Sequence, residues 1–116
     1  MHELGLMCDI LNLINEDLGN SNLTKVLEIE LLVGDLSNAM PDALDMALEI
    51  YKAEGIKFLA PETKLKIVRE SAKAICTLCN IEYEPDQLIA ICPECRLPSG
   101  KIISGESFKI ISYNGI

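Results

Sequence analysis

The 116-residue chain has no tryptophan, two phenylalanines, three tyrosines and a single histidine, at position 2. A core must therefore be built from Leu, Ile, Val, Ala and Met. The 49% apolar content supplies enough of these to exclude wholesale disorder. Positive charge is also scarce: ten Lys+Arg stand against eighteen Asp+Glu, a formal charge of -8. Binding to a phosphate backbone is driven by Lys and Arg, so nucleic acid is excluded as the main partner. A cationic ligand or a protein partner suits such a surface better. No apolar run approaches the roughly 18–20 residues needed to cross a bilayer. The first fourteen residues carry Glu3 and Asp9 and no basic cluster ahead of an apolar block, so they do not read as a secretory signal. The expectation is a soluble, cytoplasmic protein, in a compartment where paired cysteines mean metal more often than disulfide. His2 is too large for removal of the initiator residue, so Met1 is expected to stay with its free amine.

What is present divides the chain into recognisable pieces. Leu4, Met7, Leu11, Ile14 and Leu18 fall three and four apart, one stripe of an amphipathic helix from His2 to Leu18. Gly19-Asn20-Ser21-Asn22 stops it. Residues 25–33 alternate Leu27, Ile29, Leu31 and Val33 with Glu28, Glu30 and Leu32, a strand with one buried face. Pro41 opens a second helix with the stripe Leu44, Leu48 and Tyr51, ended by Gly55. Residues 63–69 and 107–113 read as further strands. As the strands bracketing the cysteines, they are candidates to pair, which would make the cysteine segment an excursion from one sheet edge. The fold class expected is α+β: a small mixed sheet packed on two helices with an inserted zinc-ribbon-like domain. The expected division is residues 1–70 plus 101–116 against residues 71–100.

Four of the five cysteines lie within twenty residues, as Cys76-x-x-Cys79 and Cys92-x-x-Cys95 with twelve residues between the pairs. Each CxxC turn aims two sulfurs at one spot, and two such turns offer four thiolates at tetrahedral corners. Zn²⁺ accepts that set and leaves no open position for a reacting water. The intervening segment is long enough for two short strands and a turn at Glu84-Pro85-Asp86. A thiol redox centre would need an oxidising compartment or a thioredoxin-like context, and neither is visible. An iron–sulfur cluster lacks a supporting spacing. Arg96 or Lys73 could offset the charge of the four thiolates. Cys8, inside the first helix, reads as a small buried hydrophobe.

A lone histidine is ordinarily a surface or helix-end residue, but position 2 admits another reading. The Met1 amine, the His2 amide nitrogen and the His2 Nδ1 can close consecutive chelate rings around one ion. Such planar, nitrogen-rich donors suit Ni²⁺ or Cu²⁺ rather than tetrahedral Zn²⁺. The site would be exposed and incomplete, and would weaken below about pH 6–7 as protons compete for the donors.

Met1-His2-Glu3-Leu4 opening a helix, a strand ending Val33-Gly34-Asp35-Leu36-Ser37, the paired CxxC turns, and Ser104-Gly105-Glu106 before a last apolar strand resemble, over nearly the whole chain, the HypA/HybF family of nickel metallochaperones. The resemblance implies an α/β nickel domain made by the N-terminal half and the last strand, with a zinc domain inserted before that strand. It implies Ni(II) held through His2, with Met1 and Glu3 contributing main-chain nitrogens or, for Glu3, a carboxylate. It implies structural Zn(II) on Cys76, Cys79, Cys92 and Cys95. The implied partners are a HypB-type GTPase or related P-loop ATPase and the large subunit of a nickel–iron hydrogenase; some relatives also serve urease. Gly5 departs from the Ser often found there, and Tyr113-Asn114-Gly115-Ile116 lacks a frequent acidic residue. Asp42 could approach the nickel site but has no matching motif. Nothing in the chain resembles a P-loop or a nucleophile–base pair, so a carrier is expected rather than an enzyme, as a monomer or homodimer and without membrane or nucleic-acid partners. The rival reading is a zinc-ribbon adaptor with no nickel function.

Overall fold

The computed structural model describes residues 2–86 and 89–116. The elements run α1 (His2–Leu18), β1 (Val26–Gly34), α2 (Pro41–Ala53), β2 (Leu59–Glu70), β3 (Lys73–Cys76), β4 (Glu82–Tyr83), β5 (Gly100–Ser104) and β6 (Phe108–Gly115). The α+β class and the two helices match expectation. The strands form two three-stranded sheets, ordered β2-β1-β6 and β4-β3-β5. No helix is long and apolar enough to cross a membrane among the described residues.

The chain divides into two compact units. The first comprises the chain up to Leu31, Ala39–Val68 and Lys109–Ile116. Its core takes Met7, Ile10, Leu11 and Ile14 from α1, Leu44, Ala47 and Leu48 from α2, and Val26, Ile29 and Leu31 from β1. Ile10 joins the α1 stripe, whereas Leu4 and Leu18 at its ends are half-buried. The bracketing strands β2 and β6 do not pair with each other; β1 lies between them. The reason is apolar content: β1 buries Val26, Ile29, Leu31 and Val33, while β2 buries Leu59 and Ala60 at its start and leaves Leu65, Ile67 and Val68 half-buried, and β6 buries none of its apolar side chains. Thr63 ties β2 to β1 by donating its hydroxyl to the Val26 carbonyl at 2.7 Å and accepting the Ala60 N–H at 2.8 Å.

The second unit comprises Leu32–Asn38 and Arg69–Phe108. Here the strands are not those expected between the two CxxC turns. Among the described residues that segment supplies β4 alone; β3 precedes the first turn and β5 follows the second, and β3 pairs antiparallel with both. Among the described residues its buried side chains are small: Ala72, Ala74, Ala90, Cys76 and Cys92, with Val33 and Pro85. A unit with so little apolar volume needs a further cross-link to hold together.

The Val33-Gly34-Asp35-Leu36-Ser37 motif has a packing role in this unit. A Cβ on Gly34 would lie 2.1 Å from the Gly105 carbonyl oxygen, so only glycine permits the approach. Gly34 N–H donates to Ser107 at 2.6 Å and Leu36 N–H to Gly105 at 2.7 Å. Asp35 Oδ1 accepts two bonds from the Arg69 guanidinium, at 3.0 and 2.8 Å. Where β5 gives way to β6, the Glu70 carboxylate substitutes for a neighbouring strand. It accepts Gly105 N–H at 2.6 Å, Ser107 N–H at 3.2 Å and the Ser107 hydroxyl at 2.9 Å.

Candidate metal centre

The two CxxC turns fold alike. Asn80 N–H donates to the Cys76 carbonyl at 2.9 Å, and Arg96 N–H donates to the Cys92 carbonyl at 2.8 Å. Asn80 and Arg96, each directly after a second cysteine, have φ of 60° and 59°. Each turn thus closes through a left-handed residue at the same place, a conformation uncommon outside glycine that reverses the chain and aims both sulfurs inward. The sulfurs of Cys76, Cys79, Cys92 and Cys95 all lie within 4.8 Å of one another. Cys76 Sγ and Cys95 Sγ, one from each turn, are 3.8 Å apart. Four sulfurs at about 2.3 Å from a tetrahedral Zn²⁺ would be about 3.8 Å apart, so the donor set and its span fit zinc.

Hydrogen-bond donors surround the sulfurs. Cys76 Sγ accepts the N–H groups of Leu78 at 3.4 Å and Cys79 at 3.2 Å. Ser99 Oγ stands 3.1 Å from Cys76 Sγ and 3.4 Å from Cys95 Sγ. Without metal, the Ser99 hydroxyl and then these N–H groups hold the Cys76 thiol down at about 6. Cys79 is pushed up to about 12, first because its thiol donates to Cys76 and next by burial. The Ser99 hydroxyl also lowers Cys95. Lys73, read from sequence as a charge partner for the cluster, stands 4.0 Å from Glu82. Ser99 carries no ligand signature in the sequence; the Thr77 N–H and hydroxyl both fasten on its carbonyl, at 2.9 and 3.0 Å, and hold the residue in place.

In the other unit, His2 and Glu3 open α1, while Met1 lies outside the described residues. The His2 side chain is exposed and places Nδ1 3.8 Å from Glu3 Oε2. Glu3 is buried. Its Oε2 accepts the Met40 N–H at 3.1 Å. Met40 is the N-cap of α2 and provides no side-chain cap of its own, so Glu3 serves that helix end from α1. The bond to Met40 holds the Glu3 carboxyl below the usual carboxylate range, aided by its own N–H and by His2 and opposed by burial. Tyr51 adds a second tie, donating its hydroxyl to the Leu4 carbonyl at 2.9 Å. Asp42 is exposed in the first turn of α2. Cys8 is half-buried rather than buried, with Asn12 Nδ2 3.7 Å from its sulfur.

The comparisons agree over the whole chain. Residues 1–115 match the family described as hydrogenase/urease nickel incorporation, metallochaperone, hypA. The chain is 30% identical over 115 residues to the hydrogenase maturation factor HypA of Moorella thermoacetica, covering 99% of each. It is 33% identical over 112 residues to that of Desulfitobacterium hafniense, covering 97% of this chain and 96% of the relative. A solution structure of a HypA protein superposes with a TM-score of 0.66 at 20% identity, covering 100% of this chain and 97% of the other. The nickel metallochaperone HypA of Helicobacter pylori gives 0.64 at 19%, covering 98% and 97%. Both structures share the fold.

Proposed function

The chain belongs to the HypA family of hydrogenase and urease nickel-incorporation metallochaperones, and from that premise we propose that it carries Ni(II) as cargo on Met1, His2 and Glu3 and holds structural Zn(II) on Cys76, Cys79, Cys92 and Cys95. It is a maturation factor, not an enzyme. The observation that carries the nickel reading is the placement of the chain's one imidazole, exposed at the first residue of α1. The first N–H groups of a helix have no main-chain acceptor one turn back, so the His2 and Glu3 amides make no bond of the helical ladder. The Glu3 N–H bonds only its own carboxylate, and both nitrogens can serve as donors. The positive end of the helix dipole favours their ionisation. Because the Glu3 carboxylate is engaged by Met40, Glu3 contributes its main-chain nitrogen and leaves its side chain as an anchor.

Nickel handling is assigned to the unit built on α1 and α2, and zinc to the cysteine unit. The zinc cross-links a body that buries little besides alanine and cysteine, which makes it part of the folding free energy rather than a reaction centre. The recipient of the cargo is the large subunit of a nickel–iron hydrogenase or a urease, reached in the cytoplasm with a HypB-type GTPase or a related P-loop ATPase. The test is metal titration of untagged protein. His2→Ala should abolish near-stoichiometric Ni²⁺ binding with zinc retained, and an N-terminal extension should impair it. Undiminished nickel binding in His2→Ala would overturn the assignment.

A further inference from the structure

We propose that the outward face of α2 docks a protein partner through a basic, amphipathic segment of that partner. The helix turns Leu44, Ala47 and Leu48 inward. At 100° per residue, the opposite face carries two parallel ridges. One is apolar: Met46, 61% exposed, Ile50, 42% exposed, and exposed Ala53. The other is acidic: Asp42, Asp45 and Glu49, all exposed and spaced along the same side. An apolar ridge left in water beside a partly neutralised acidic one is the complement of a segment with apolar residues on one flank and Lys or Arg on the next.

Two of the three acids on this ridge are outside any ion pair among the described residues: Glu49 pairs with Lys52 at 2.7 Å, while Asp42 and Asp45 have no cation within ion-pair distance. The Asp45 carboxyl is raised from its ordinary value, first by partial desolvation and then by the charges of Asp42 and Glu49, with Lys52 opposing. A second copy of the same face would set carboxylates against carboxylates, which disfavours self-association there. The N-terminus of α2 is fastened to Glu3, so a partner seated on this face lies at the end of the unit that carries His2.

The experiment uses the full, zinc-loaded chain and a fluorescein-labelled model helix of alternating Leu and Lys stripes, read by anisotropy and by amide shift mapping. Binding should perturb the amides of residues 42–53 and weaken steeply with salt. Asp42→Asn/Asp45→Asn should weaken it about tenfold, and Met46→Ser by a similar factor. The equal charge change Asp9→Asn/Glu16→Gln on α1 should leave it within about twofold. A control that weakens binding as much as the α2 pair would overturn the proposal. So would perturbations that map elsewhere, or self-association through α2 in sedimentation.

Discussion

Glu3 accepts the Met40 main-chain N–H at 3.1 Å, so a carboxylate from the first turn of α1 serves the uncapped start of α2. The side chain of the proposed cargo site is therefore also a helix clasp. Glu3→Gln keeps an acceptor oxygen and should preserve the tie, whereas Glu3→Ala should lower Tm and speed hydrogen exchange at Met40. If Glu3 gives nickel only its main-chain nitrogen, Glu3→Gln should keep full nickel stoichiometry and an unchanged visible absorption of the bound ion. A lost or shifted absorption in Glu3→Gln would mean that the carboxylate is itself a ligand.

The same contact has a pH signature. Glu3 is held below its ordinary value, so folding strengthens its acidity. Its contribution to stability is complete above the ordinary carboxylate value and is lost as pH falls through the lower, native one. Acid unfolding followed by circular dichroism should be shallower in Glu3→Gln than in wild type below about pH 4.5, with the two curves parallel above it. Curves that stay parallel to pH 2 would remove Glu3 from the acid response.

How much of this was legible in the sequence depends on how far apart the interacting residues lie. The α1 stripe and the paired CxxC turns are local patterns, and the structure places Met7, Leu11 and the four sulfurs as spacing requires. The order of β1, β2 and β6 depends on which strand is most deeply covered, and alternation along one strand does not rank it against others. β5 was hidden because Gly100–Ser104 is short and follows turn residues; its pairing with β3 is a long-range fact. Glu3 read as a ligand by position, and its bond to a residue 37 places away has no sequence signal. Gly34 read as part of a strand ending, and its requirement comes from Gly105, far along the chain.

Zinc uptake should release protons in a pH-dependent number. Without metal, Cys76 sits at about 6 and is already a thiolate at neutral pH, while Cys79 keeps its proton up to about 12. The four thiols titrate as one cluster, so the measurable quantity is their summed release. Titration in weakly buffered solution should give fewer than four protons per zinc at pH 8 and a number closer to four near pH 5.5. Four protons at both values would contradict a preformed thiolate at Cys76. Cys76→Ser should lose zinc and the amide dispersion of Arg69–Phe108.

Ser99 offers a narrower test of how the thiolates are held. Its hydroxyl stands 3.1 Å from Cys76 Sγ and 3.4 Å from Cys95 Sγ. Ser99→Ala removes the donor without touching a ligand and should weaken zinc binding roughly tenfold. Substituting Co²⁺ should show shifted sulfur-to-metal charge-transfer bands in Ser99→Ala, with recovery in Ser99→Thr. Unchanged affinity and bands would reduce Ser99 to a turn residue.

Two glycines in opposite settings separate tight packing from backbone propensity. At Gly34 a Cβ would fall 2.1 Å from the Gly105 oxygen, a main-chain atom that cannot turn aside. Gly34→Ala must push the two segments apart, break the 2.6 Å bond from Gly34 to Ser107 and disturb the Asp35–Arg69 pair beside it. A loss of about 3 kcal/mol is expected, at the upper end for an overpacked site. Gly5 lies in the first turns of α1, where a Cβ would meet nothing within 4 Å, and glycine there costs conformational entropy. Gly5→Ala should therefore stabilise the chain by about 0.5–1 kcal/mol. Urea unfolding of both variants checks the signs. A Gly5→Ala variant no more stable than wild type would mean that the first turns of α1 need the freedom of glycine for another purpose.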